Sequence, residues 1–161
     1  MNASRSLIMG GLLVVAAAAS AAAQTATQTV TLQVDAINQV AVTGTPSLTI
    51  TAAVAGNAPT TVTSTGNTWA VTTNQTGAKI TASIGSAMPT GVTLSANLAA
   101  PSGGTSAGLQ ALGTAAVDVV TSITKLNASG LALSYQLDAT SAAGVITSTT
   151  RVVTYTITGG A

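Results

Sequence analysis

Apolar residues recur at every second position along most of the chain, alternating with Thr, Ser, Asn and Gln. Period two is the signature of half-buried β-strands, and β-branched Thr, Val and Ile fit a pleated surface. The first case is "QTATQTVTLQV", residues 24–34, where Val30, Leu32 and Val34 share one face and Thr29, Thr31 and Gln33 the other. The same pattern predicts strands around Val40 and Val42, Leu48, Ile50 and Val54, Trp69 and Val71, and Ile80 and Ile84. It returns at Val92, Leu94 and Leu98, Val117 and Val119, Leu131 to Leu137, and Val153, Tyr155 and Ile157. Between them lie "TGTP", "AGNAP", "TGN", "NQTG", "MPTG", "APSGGTSAG", "NASG" and "SAAG", which read as turns. Short strands so spaced predict one all-β, mainly antiparallel sandwich of immunoglobulin-like or jelly-roll type over residues 24–161. The best local case for a helix is "GLQALGTAAVDVV", which Gly113 interrupts and whose valines prefer strand. No fixed-length repeat points to a solenoid, and residues 99–108 form the longest expected irregular stretch.

Residues 1–23 read as a signal peptide. "MNASRS" carries one cation, Arg5, and is followed by an apolar core and a small-residue A-x-A site at Ala21-Ala22-Ala23. Cleavage after Ala23 predicts a mature chain that begins at Gln24, is secreted or sits at the cell surface, and keeps no membrane span. With no cysteine there is neither a lipidated N-terminal Cys nor a disulfide, so the core alone must stabilise the domain.

Beyond the signal segment the charged side chains are Asp35, Asp118, Asp138, Lys79, Lys125 and Arg151. Three scattered cations make no phosphate-binding patch, which excludes nucleic acid as an expected partner. Near-neutral chains with so few charges tend to associate.

Two short motifs invite a catalytic reading. Gly104-Thr105-Ser106-Ala107-Gly108 fits a nucleophile elbow, but that chemistry needs a base to take the serine proton and the chain has no histidine. Ser122-Ile123-Thr124-Lys125 fits S-x-x-K, yet residues three apart on a strand point to opposite faces. There is no glutamate, and the three aspartates are far apart in sequence, so enzyme is the least supported class. No cofactor is expected; one or two Ca²⁺ contacts at Asp35, Asp118 or Asp138 stay open, with solvated surface aspartates the simpler reading.

Trp69, Tyr135 and Tyr155 are the only aromatics. Exposed, they would form a sugar-stacking platform, but each alternates with aliphatic residues, and core packing is preferred. Three rings also cannot supply the aromatic girdles of an outer-membrane barrel. Thr-x-Thr pairs fall too irregularly for the lattice of an ice-binding array.

The layout resembles exported bacterial fibre subunits of the camelysin/TasA-like and spore-coat-U-like pilin groups. It shares a signal segment, an N-terminal alternating strand through "QTVTLQVDAINQVAVTG", a following "PSLTI" strand and a C-terminal "RVVTYTIT". The resemblance implies a self-associating subunit whose terminal strand, with Val30, Leu32 and Val34 as the assembly residues, completes a neighbour. Three such aliphatic side chains would contribute on the order of 5–9 kcal/mol before entropic losses. The same strand would pair equally well within its own sheet. An adhesion or carbohydrate-binding module facing a cell-surface glycan is the alternative.

Overall fold

The computed structural model describes residues 23–160. Ala21 and nearly all of the expected signal peptide lie outside the described residues. The chain divides into two units, residues 1–33 and 34–161, and the β-structure belongs to the second.

Nine strands form among the described residues: β1 (Asn38–Thr43), β2 (Val62–Thr73), β3 (Ala78–Ile84), β4 (Val92–Leu98), β5 (Thr105–Ser106), β6 (Gln110–Ala111), β7 (Val117–Ile123), β8 (Leu126–Ala139) and β9 (Val153–Thr158). Sheet I runs β1-β2-β8-β4-β6 and sheet II runs β5-β7-β3-β9, with every pairing antiparallel. The architecture is the expected all-β sandwich.

Alternation builds the core directly. In β3, Ala78, Ile80, Ala82 and Ile84 are buried while Lys79, Thr81 and Ser83 turn toward solvent. Sheet I adds Trp69, Val71, Leu98 and Leu133, and sheet II adds Val119, Val120 and Ile123, to one apolar cluster. Trp69 is 1% exposed and its indole N–H donates to the Ala99 carbonyl at 3.2 Å. The aromatic residues therefore serve the core, as alternation predicts, with Tyr135 also buried and Tyr155 packed against the cluster.

Several local expectations are corrected. "TGN" and "NASG" are not turns but sit inside β2 and β8, where Gly66 (φ 83°) and Gly130 (φ 66°) mark register shifts. Glycine at positive φ serves a bulge as readily as a turn, and each bulge lets a long strand continue. "GLQALGTAAVDVV", whose valines favour strand, supplies β6 and the start of β7 as that preference anticipates, and the described residues hold only a single 3-10 turn, Ser141–Ala143. The stretch 99–108 contains β5. "PSLTI" forms no strand, although Leu48 packs against the core. Residues 24–34, in the same way, carry no strand. Alternation prescribes two faces for a segment, whereas a ladder also requires a partner edge.

The last described residues are held by close approach. A Cβ on Gly159 would lie 2.6 Å from Asn38 Nδ2, and one on Gly160 would overlap the Thr76 carbonyl. Gly160→Ala must push backbone away from backbone, and is expected to destabilise the fold by about 1–3 kcal/mol, the usual range for overpacking. A thermal melt beside the parent chain checks this; an unchanged midpoint would show that the glycine contact contributes nothing.

Candidate functional site

The two lateral sides of the sandwich are unequal. On one side the edge strands β5 and β6 are two residues long and firmly tied. Ser106 Oγ donates to the Leu98 carbonyl at 2.6 Å and accepts from the Gly108 N–H at 3.1 Å. Ala107 N–H donates to Val119 O at 3.0 Å, and Leu112 N–H to Leu94 O at 2.8 Å. Very short edges offer little to a passing strand.

On the other side lie β1, "NQVAVT", and β9, "VTYTIT", six residues each, with no charge and no proline. The pairings of both run without a register shift. Long, regular, uncharged edges present a row of backbone donors and acceptors to any added strand, and soluble proteins usually interrupt them. β9 alternates half-buried Val153, Tyr155 and Ile157 with exposed Thr154, Thr156 and Thr158. It forms a ladder with β3 alone, while β1 of the other sheet lies close to it without joining that ladder. The nearest cations are drawn elsewhere. The Arg151 guanidinium donates to the Ala87 carbonyl, at 3.1 Å from Nη2, and Lys79 on β3 pairs with Asp118 of β7 at 3.0 Å.

Tyr155 couples this edge to the opposite sheet, its hydroxyl donating to that of Tyr135 on β8 at 3.0 Å. Burial, reinforced by the neighbouring phenol, pushes the Tyr155 hydroxyl far above the ordinary tyrosine range. Burial also raises Tyr135, partly offset by its bond to Tyr155.

The start of β1 is clamped by one side chain. Asn74 Oδ1 accepts from Ile37 N–H at 2.8 Å, Asn74 Nδ2 donates to the Asp35 carbonyl at 2.7 Å, and Asn74 N–H donates to Ile37 O at 3.2 Å. These bonds extend the β1–β2 register, Asn38 opposite Thr73, by one more step. An open recess of about 490 Å³ adjoins the clamp, lined in part by Ile37, Asn74 and Lys125.

Of the residues singled out in the sequence, Val30, Leu32 and Val34 are 68%, 87% and 81% exposed. Ala23 is exposed. Ser106 spends its hydroxyl on the closed edge, and its motif leads into a second short strand rather than a helix. Ser122 (φ 61°) and Lys125 (φ 40°) flank the buried Ile123 at the β7–β8 junction, both exposed. The aspartates remain apart. Asp118 lies in sheet II, Asp138 accepts from Thr61 Oγ1 and Gln136 Nε2 at the end of β8, and Asp35 precedes β1. No group of three metal-ligating side chains occurs among the described residues. Sequence reasoning missed the Asn74 clamp and the approach of β1 to β9, since both depend on strand order.

No family model, curated protein or solved structure matches this chain.

Proposed function

We propose that this chain is an exported structural subunit that self-associates into an extracellular fibre or surface layer by strand complementation. The observation that carries this reading is the unequal treatment of the two edges: one closed by two-residue strands, the other left long, regular and uncharged. The exposed alternating segment 24–34 supplies a strand of matching character, apolar on one face and hydroxyl- or amide-bearing on the other. Few charges oppose stacking of copies, and the signal-like residues 1–23 support export. The layout shared with camelysin/TasA-like and spore-coat-U-like pilins agrees with the same role. A sugar-binding role lacks an exposed aromatic ring, since Trp69 and Tyr135 are buried and Tyr155 is half-buried.

Leu32→Asp tests the reading. At 87% exposure the substitution should leave the β spectrum in circular dichroism unchanged, whereas a carboxylate carried into an apolar contact between copies costs several kcal/mol. About 4 kcal/mol corresponds to roughly a thousand-fold weaker association. Filaments or layers of the parent chain in electron microscopy, absent for the variant, are the expected result. A parent chain that stays monomeric at high concentration, or a variant that assembles equally well, would overturn the proposal.

A further inference from the structure

We propose that the outward face of sheet I around Lys125 binds an acidic saccharide, the Lys125 ammonium taking a uronate carboxylate and the side chains of Gln39, Thr72 and Asn127 taking hydroxyl groups. The site lies within one subunit and holds whether or not copies associate.

Strand register builds this face. Gln39 of β1, Thr72 of β2 and Asn127 of β8 lie opposite one another, in the pairs Gln39↔Thr72 and Thr72↔Asn127. Val71 and Thr73 on either side of Thr72 are buried, so alternation turns this row outward, and each of its members is exposed. Toward one end of the sheet, Asn74 and Lys125 border the recess of about 490 Å³. Toward the other, Ala70 and Ser129 border a second recess of about 210 Å³, at the register shift between Trp69 and Val71. Thr72 and Asn127 line both recesses, which therefore form one groove. From Asn74 to Ala70 the groove follows four residues of extended chain, about 13 Å. The larger recess alone falls within the range of about 300–1,000 Å³ that small ligands occupy.

The polar groups along the groove are unspent. Lys79 pairs with Asp118 and Arg151 holds the Ala87 carbonyl, whereas the Lys125 ammonium has no partner among the described residues. The side chains of Gln39, Thr72 and Asn127 have none there either, in contrast to Asn74, whose amide is committed to the β1 clamp. Lys125 is also held at φ 40°, with its N–H donating to the Gln75 carbonyl at 2.9 Å. Glycine adopts that conformation without strain, so a lysine there sets an ammonium at the groove at a conformational cost.

The ligand class follows from these groups. One ammonium, with neither a second cation nor a helix N-terminus beside it among the described residues, matches a single carboxylate rather than a phosphate. Amide and hydroxyl side chains both donate and accept, as sugar hydroxyls do. Ile37, 42% exposed, and half-buried Leu126 offer apolar surface to the C–H face of a ring. An extended peptide binds through ladder bonds at a sheet edge, and this groove crosses a sheet face. Recognition by charge and hydrogen bonds needs no exposed aromatic ring.

Isothermal titration calorimetry of the full chain with trigalacturonate tests the proposal, beside its neutral methyl ester and an oligo-aspartate of equal charge. The acid should bind, more weakly as salt is raised. The ester should bind roughly tenfold more weakly, as should the acid to Lys125→Gln, the effect of losing one charge-assisted hydrogen bond. Lys125→Arg should restore binding, and Asn127→Ala should weaken acid and ester alike. Circular dichroism should be unchanged in every variant, because both positions are exposed. No binding of trigalacturonate by the parent, or equal binding by Lys125→Gln, would overturn the site. Oligo-aspartate bound as tightly as the uronate would show that the face reads charge alone and overturn the saccharide assignment.

Discussion

Replacement of Trp69 by alanine is expected to destabilise the sandwich by about 3–5 kcal/mol, the range for removing a buried aromatic from a packed core. Trp69 is 1% exposed, sits in the middle of β2 and lies between Val42 of β1 and Leu131 of β8 in the register of sheet I. Its loss opens a large cavity and takes away the donor to the Ala99 carbonyl. Domains of this size are stable by only about 5–15 kcal/mol, so a single such change removes much of the margin. Urea unfolding followed by circular dichroism should show a lower midpoint with an unchanged slope. Tryptophan fluorescence cannot follow the variant, because Trp69 is the only tryptophan. A variant of normal stability that had lost affinity for a glycan would move Trp69 from core to binding surface.

Alkaline unfolding is the second large effect expected. In the native state burial raises both Tyr135 and Tyr155 above the ordinary value of 10.0, whereas in the unfolded chain both ionise near it. Below pH 10 both states keep the phenols protonated, and the hydroxyl pair contributes its full stabilisation. Above it the unfolded state releases protons that the folded state retains, so stability falls as pH rises. Thermal midpoints should therefore be flat in neutral solution and drop beyond about pH 10, where the unfolded phenols begin to ionise. Tyr155→Phe should reduce the drop while costing about 1 kcal/mol at neutral pH, the net worth of one hydrogen bond. The double change with Tyr135→Phe should abolish the tyrosine contribution. An identical alkaline profile in the double variant would show that the phenols are not its cause.

Sequence periodicity identified the long strands because β3, β4, β7, β8 and β9 each carry a clear apolar face, and the fold class follows from them. Its failures share one physical origin. "QTATQTVTLQV" and "PSLTI" alternate as cleanly as β9, yet neither is a strand in the single chain, because alternation says nothing about whether an edge is available. Gly66 and Gly130 announce positive φ, but only the neighbouring strand decides whether that angle makes a turn or a bulge. The short strands β5 and β6 depend on bonds from Ser106 and Leu112 to β4, which no local pattern reveals. The candidate site was half legible. Val30, Leu32 and Val34 stand out from the sequence alone, whereas the place of β9 at the margin of its sheet follows only from the strand order.

The meeting of Asn38 with Gly159 also bears on how the molecule would carry tension. The beginning of β1 and the end of β9 lie at the same end of the sandwich, so a pull between them acts across the strands and peels the ladders one rung after another. Force delivered along β9 would instead act parallel to the ladder and load its six β3 pairs together. Rungs that must fail at once resist far more than rungs that fail in turn. The direction in which force enters, more than the number of bonds, would thus set the rupture strength of the sandwich.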